Sequence, residues 1–317
     1  MGKILIIANK RNYTAELFAY KTINVEFSYR NLSYIGKVIK RLWYIFKLPY
    51  FNYWYDFSLK KIPNYDLIIL FECTYPIKII NDILTRKKDS TRIIYWLWNS
   101  VDRQRRTLTY NGGKDIKKML KTKRDNVEIW TFDKGDCEKY GINYNNQVLR
   151  RYEMKNIEIK NEVFFCGQNK NRYPIIKRIA NELKKYNVSY NFIVIDKFLK
   201  NASNGIRIRL KELAYEDMLL EECACKCILD IVQEGQKGLT WRPLEAMFYK
   251  KKLITNFNEI KQYDFYNPNN VFIIDEDRWE DIKEFITSPY VDLDDKIIDQ
   301  YTVEGWLNNF FCKSGDI

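Results

Sequence analysis

The sequence predicts an α/β protein made of two Rossmann-like, doubly wound domains. Three observations carry this expectation. Short apolar runs rich in β-branched and aromatic residues alternate with amphipathic stretches from end to end, the βαβ rhythm of parallel sheets covered on both faces. The rhythm breaks over residues 141–160, which show no strong periodicity, and then restarts. The 317 residues are many for one core and fit two domains of about 150 residues each. The expected domains are 1–155 and 156–317.

In the first half, buried strands are expected at 3–8 (KILIIA), 67–71 (LIILF), 92–96 (RIIYW) and 127–132 (VEIWTF). In the second half they are expected at 163–166 (VFFC), 191–195 (NFIVI), 227–232 (CILDIV), 252–255 (KLIT) and 271–274 (VFII). The stretch 173–186 reads as a helix, with Ile175, Ile176, Ile179, Ala180 and Leu183 on one side. Further helices are expected at 215–223, 243–249, 278–286 and 306–311. Asn267, Pro268, Asn269 and Asn270 make a turn before the last strand. Such folds bind ligands at the carboxyl ends of their strands, here expected between the two domains.

Composition narrows the chemistry. Apolar residues make up 46% and charged residues 30%, so the chain is globular in composition. It has no histidine. That excludes a Ser-His-Asp triad, a Cys-His pair, His-ligated zinc and a histidine base. Acid–base work falls to carboxylates, lysine, tyrosine or the substrate. The seven cysteines are scattered and odd in number, which fits reduced thiols. Cys223, Cys225 and Cys227 lack the further soft ligands that would close a metal site, and buried thiols at a helix-to-strand junction are expected instead. The apolar run at 4–8 is too short for a signal peptide, and no stretch approaches the about 20 apolar residues of a spanning helix. The net charge of +12 is unevenly placed, with +15 in residues 1–155 and −3 in residues 156–317. A basic half beside a nearly neutral half points to modules with different partners.

The stretch 34–61 (YIGKVIKRLWYIFKLPYFNYWYDFSLKK) carries much of that charge. At helical spacing Ile35, Val38, Ile39, Leu42, Trp43, Ile45 and Phe46 line one side, and Lys37, Lys40, Arg41 and Lys47 the other. Pro49 ends the helix, and Tyr50, Phe51, Tyr53, Trp54 and Tyr55 follow. Aromatic rings beside cations suit an anionic membrane interface. The same pattern suits a surface helix that packs its apolar side on its own domain. Arg103, Arg105, Arg106, Lys114, Lys117, Lys118, Lys121, Lys123 and Arg124 extend the basic surface. Nucleic acid could use such a surface, but no nucleic-acid-binding module is present, so no nucleic-acid partner is expected.

The most specific signal lies in 229–255 (LDIVQEGQKGLTWRPLEAMFYKKKLIT). A buried strand ends, a loop with Gly235 and Gly238 follows, Thr240 stands where it can cap a helix, Arg242 opens that helix and Glu245 lies on its first turn. Glycine lets a phosphate approach backbone amides at a helix start, Arg242 can pair with a phosphate, and Glu245 can accept two hydroxyls. With Gly238, Arg242, Glu245 and Ala246 as G-x-x-x-R-x-x-E-A, the sequence resembles the nucleotide-sugar-binding domain of GT-B glycosyltransferases, above all the bacterial lipopolysaccharide and capsule type. The resemblance implies two domains facing each other across a cleft. It implies diphosphate contacts at Gly238, Leu239 and Thr240 and a ribose contact at Glu245. The loop 167–173, with Gly167, Lys170 and Arg172, occupies the place of the family's other phosphate-side loop. Glu234 and Glu245 are eleven apart, a departure from the E-x7-E pattern.

Other signals compete. Asp275, Glu276 and Asp277 follow an apolar strand, the way GT-A glycosyltransferases hold Mn²⁺ or Mg²⁺; acidic residues before a helix are also ordinary caps. There is no Walker A sequence and no G-x-G-x-x-G. For a base, Glu72, Asp102 and Asp133 each follow a first-domain strand, and each could equally be a cap or an ion-pair partner. Asn9 and Lys10 are expected on the acceptor side. The expectation is a hexosyl-type transferase moving a sugar from a nucleotide donor to a lipid-linked or glycan acceptor. It would be cytoplasmic, peripheral on the inner face of the cell membrane, and need neither metal nor cofactor. A GT-A enzyme using Asp275 and Asp277, or a non-catalytic basic polyanion- or nucleic-acid-binding protein, are the alternatives.

Overall fold

The computed structural model describes residues 2–9, 16–20, 23–101, 112–122, 126–154, 157–199, 203–233 and 237–311. The chain divides into two compact units, Met1–Asn146 and Gln147–Cys312. Each is a six-stranded, all-parallel sheet with helices between its strands, the doubly wound α/β architecture that the sequence predicts.

The first unit contains β1 (Ile4–Ala8), β2 (Ile23–Phe27), β3 (Leu67–Phe71), β4 (Arg92–Leu97), β5 (Glu128–Thr131) and β6 (Asn143–Tyr144). They lie in the order β2-β1-β3-β4-β5-β6. The direction of winding reverses between β1 and β3, where Ile4 pairs with both Ile23 and Leu67. All five residues of β1 and of β3 are buried, as strands covered on both faces must be. Strand β2 was not expected. Its INVEF sequence is short, carries Asn24 and Glu26, and lies at the sheet edge with only Ile23 buried, so it has no core pattern to read.

The second unit contains β7 (Asn161–Gln168), β8 (Tyr190–Ile195), β9 (Arg207–Arg209), β10 (Cys225–Asp230), β11 (Lys252–Thr255) and β12 (Val271–Ile273). Their order is β12-β11-β10-β7-β8-β9. Counted within the unit this is 3-2-1-4-5-6, the order of dinucleotide-binding sheets, whose switch point lies between the first and fourth strands. Here those are β7 and β10, paired through Cys227 and Val163. Cys223, Cys225 and Cys227 are buried where the helix Tyr215–Cys223 gives way to β10.

The stretch 34–61 departs from a simple amphipathic reading. The helix Tyr34–Ile45 starts from Ser33, whose hydroxyl accepts the Gly36 N–H, and it contains no buried residue. Its aliphatic stripe faces outward, with Ile35 and Phe46 each 69% exposed and Val38, Ile39, Leu42 and Ile45 also exposed. The inward face is Gly36, Lys40, Trp43 and Tyr44. Tyr44 stacks on Tyr75 at 4.1 Å and donates at 2.8 Å to Asp115, which is buried. Trp43 packs edge-on against Trp54. The reason is competition for core space. The helix is followed by Phe51, Trp54, Tyr55 and Phe57, and these four rings fill the core. Of the aromatic cluster after Pro49, only Tyr50 and Tyr53 are exposed.

Candidate functional site

Two loops meet at the β7/β10 switch point. The first follows β7. Lys170 and Asn171 both have left-handed backbone, φ 42° and 65°, a conformation costly for non-glycine residues. Asn169 holds the turn. Its Oδ1 accepts the Tyr173 N–H at 2.9 Å and its Nδ2 donates to Asp196 at 2.6 Å. The turn brings the Arg172 guanidinium back over the sheet end, where it donates to the carbonyls of Ile231 (2.6 Å) and Gln168.

The second loop follows β10. Asp230, the last residue of that strand, is fully buried. A buried carboxylate needs donors. Thr240 donates its hydroxyl to Asp230 Oδ1 at 2.9 Å, and Arg242 lies 3.5 Å from the same oxygen. Thr240 is thereby diverted from the capping role expected of it, and the short helix Arg242–Phe248 begins with no side-chain cap. Burial still raises the Asp230 carboxyl, against the opposing pull of Arg242. Arg242 also donates to the Cys166 carbonyl. Asp230 Oδ2 and Arg242 Nε are buried with no hydrogen-bond partner among the described residues.

The two arginines converge. Both guanidiniums lie over the Phe165 ring, at 5.7 Å for Arg172 and 5.2 Å for Arg242. Gly167 lies between them. A Cβ there would stand 2.9 Å from an Arg242 nitrogen and 3.1 Å from an Arg172 nitrogen. A side chain at 167 would have to displace the ends of both arginine side chains, so glycine leaves the two like charges room to sit side by side. Clustered guanidiniums beside a backbone without side chain have the chemistry to hold a phosphate-class anion.

The remaining sequence candidates fall in several places. Gly238 and Leu239 are buried, and the Leu239 carbonyl accepts from Gln147 at 3.4 Å. Glu234 and Gly235 lie outside the described residues. In the first unit Asn9 and Glu72 come together at the β1/β3 switch point. Asn9 donates to the Glu72 carbonyl at 2.6 Å and accepts from Ser28 at 3.1 Å. Glu72 has a left-handed φ of 48° and accepts from Asn99 at 2.6 Å. Asp133 stands apart, at the end of β5. It caps the helix Lys134–Tyr140 by accepting the Asp136 N–H at 3.1 Å. Lys10, Asp102, Arg103, Arg105, Arg106, Lys123 and Arg124 lie outside the described residues, as does the side chain of Lys114.

The acidic triplet is engaged elsewhere. Asp275 pairs with Arg178 at 2.8 Å, Glu276 with Lys261, and Asp277 accepts the Ile273 N–H at 2.6 Å. Among the described residues no group of three or more Cys, Asp or Glu is placed to hold a metal. Sequence reasoning missed Asp230, Asn99 and Glu222. Asp230 had a signal, an acid ending an otherwise apolar strand. Glu222 had none, because its partner is 23 residues away.

Glu222 and Glu245 are both fully or almost fully buried. Tyr215 donates its hydroxyl to Glu245 Oε1 at 3.0 Å. Both Glu222 oxygens and Glu245 Oε2 lack a donor unless a proton joins the two carboxyls. Burial is the main cause raising each carboxyl, and their mutual repulsion raises Glu222 further. The folded chain therefore keeps a proton that the unfolded chain releases above about pH 4.3. This contribution to stability is complete below that pH and is lost as pH rises toward the folded value. Glu222→Gln supplies a donor amide without a titrating group. Thermal unfolding followed from about pH 5 to about pH 8 should show a smaller decline for the variant than for the native chain; parallel curves would refute the shared proton.

No protein-family model and no curated protein sequence matches the chain. Solved structures do. An alpha-glucosyltransferase in complex with UDP-glucose and DNA containing an abasic site is 13% identical, with 98% of each chain covered and a TM-score of 0.60. A UDP-forming α,α-trehalose-phosphate synthase from Burkholderia xenovorans is 10% identical, with 98% of each chain covered and a TM-score of 0.56. The N-terminal domain of Candida albicans trehalose-6-phosphate phosphatase is 11% identical over 98% of this chain and 96% of its own, with a TM-score of 0.55. At these identities the likeness is one of fold, and the fold that this chain carries is that of GT-B glycosyltransferases.

Proposed function

We propose that the chain is a glycosyltransferase whose second unit binds a nucleoside-diphosphate sugar. The observation that carries this reading is the pair of guanidiniums flanking Gly167 at the switch point of a 3-2-1-4-5-6 sheet. Arg172 and Arg242 would take the diphosphate oxygens, with Lys170 and the Gly238, Leu239 and Thr240 backbone beside them. In the transition state negative charge builds on the leaving diphosphate, where fixed guanidiniums stabilise it. They would do what a divalent cation does in other transferases, so turnover in the presence of a chelator is part of the reading. Glu245 would meet the donor ribose only by exchanging its Tyr215 bond for a ligand hydroxyl. Glu72, held by Asn99, is the candidate base if the reaction inverts, with Asn9 on the acceptor side. The UDP-glucose bound to one structure of the same fold supports a nucleotide-sugar donor.

The acceptor we infer is a lipid-linked or oligosaccharide glycan of a bacterial surface polysaccharide, of the lipopolysaccharide or capsule type. It would be met at the cytoplasmic face of the membrane. No helix among the described residues is long and apolar enough to cross a membrane, so attachment would be peripheral. The outward stripe of the helix Tyr34–Ile45 supports it. Full burial of one such aliphatic side chain stabilises by about 1.5–3 kcal/mol, and a lipid surface provides that burial. The flanking Lys37 and Arg41 suit anionic headgroups. Nucleic acid would use the cations and leave the aliphatic stripe in water, which disfavours it as the partner.

The donor reading is tested with a panel of nucleotide sugars, by release of nucleoside diphosphate. One or more should turn over with chelator present, and Arg172→Met, shown to be folded by its unfolding transition, should lower the rate at least about tenfold. A panel in which nothing binds or turns over would overturn the assignment. The membrane reading is tested by co-sedimentation with vesicles. The native chain should favour anionic over neutral vesicles, and the double variant Ile39→Ser with Leu42→Ser should lose binding without losing stability. Equal sedimentation of native and variant chains counts against it.

A further inference from the structure

The second unit carries a cavity at the opposite end of its sheet from the paired arginines. Residues 151–157 lead toward β7, Cys223 stands just before β10, and Tyr249, Lys250 and Lys251 lead directly into β11. These segments come together at the amino ends of three adjacent strands, whereas Arg172 and Arg242 lie at the carboxyl ends. The length of β10 puts about 20 Å between the two ends. Two hydrogen bonds anchor the stretch before β7. The Tyr152 N–H donates to the Tyr249 hydroxyl at 3.0 Å, and the Lys160 N–H donates to the Ala224 carbonyl at 2.8 Å. Here the chain lines a cavity of about 690 Å³, within the size range of small-molecule sites.

The lining has two characters. Cys223 and Phe248 are buried, and Tyr152, Met154 and Tyr249 are half-buried beside them. Rings and a thioether make a polarizable surface on which another ring packs well. Burial raises the Cys223 thiol to about 11, against the opposing pull of Lys251. At neutral pH it is therefore a protonated wall and not a nucleophile. The charged part of the lining is Arg151, Lys250 and Lys251, against the single carboxylate of Glu153. The Lys251 ammonium is held in place by the Cys223 carbonyl at 2.6 Å, a bond that uses one of its three donors. Lys250 pairs with Asp292 at 2.7 Å, but the two side chains are 58% and 71% exposed, and a pair so exposed contributes little. Polarizable walls with a surplus of cations fit an anion that carries a ring.

We propose that this cavity binds a small ring-bearing anion, an aromatic carboxylate or phosphate. Its ring would lie against Tyr152, Met154 and Tyr249, and its charge would meet Arg151 and Lys251. The cavity is a second ligand site, and it stands whether or not the arginine pair takes a nucleotide.

The test is photolabelling of the full chain with para-azidobenzoate and with its neutral analogue para-azidobenzyl alcohol, mapped by peptide mass spectrometry. The anion should label peptides carrying residues 151–157 or 248–251 about fivefold more than the alcohol does, as a charge-assisted contact supplies. Unlabelled naphthoate should compete with it. The double variant Arg151→Ala with Lys250→Ala should remove the advantage of the anion and leave labelling by the alcohol. Met154→Trp, shown to be folded by its unfolding transition, should fill the cavity and block both probes; Ile157→Trp serves if Met154→Trp does not fold. Equal labelling by the two probes, or an advantage of the anion that survives the double variant, would overturn the anionic class. Labels confined to other surfaces, or cavity labels that survive a folded filling variant, would overturn the site.

Discussion

The site in the second unit hangs from one buried carboxylate. Asp230 ends β10 with no exposure to water, and a carboxylate so placed is tolerated only with donors around it. Thr240 and Arg242 are those donors. Their commitment to Asp230 sets the path of the loop between β10 and the next helix. It draws the Arg242 guanidinium under the sheet end, onto the Phe165 ring and against Gly167. Arg172 arrives from the other side, carried by a turn that two left-handed residues and the Asn169 bonds hold in place. Removing Asp230 would release the constraint that sets this pair of arginines.

The parallel topology then decides where the site opens. In a sheet of this order the loops after β7 and β10 leave toward opposite faces, so a crevice opens at their carboxyl ends. The first unit repeats the logic at a different position. Its winding reverses between β1 and β3, and there Asn9, Ser28, Glu72 and Asn99 form one hydrogen-bonded group. Each unit thus places its polar residues where its own winding changes direction.

Much of this was legible in the sequence, and the exceptions have physical causes. The central strands are continuous apolar runs because both faces are covered, so KILIIA, LIILF and CILDIV were readable. The edge strands INVEF and RIR have no such pattern. Gly238, Arg242 and Glu245 stood out by spacing, but spacing could not show that Glu245 is enclosed with Tyr215 and Glu222. Gly167 was visible as a loop glycine, while its setting, two guanidiniums beside one glycine, depends on contacts far apart in sequence. The helix Tyr34–Ile45 was recognised as amphipathic, but periodicity shows only that two faces differ. Which face turns inward goes with the rings of Phe51, Trp54, Tyr55 and Phe57, which fill the core beside it.

The central claim is that the paired arginines at Gly167 bind a diphosphate. It is tested most directly by the affinity of the full chain for a nucleoside, its monophosphate and its diphosphate, measured by calorimetry for each base. The account predicts that affinity rises with each phosphate for at least one base. The gain from the second phosphate should amount to about tenfold or more, as charge-assisted bidentate bonds would supply, and should vanish in Arg172→Met. Equal affinity across the three ligands, or a diphosphate preference that survives the substitution, would contradict it.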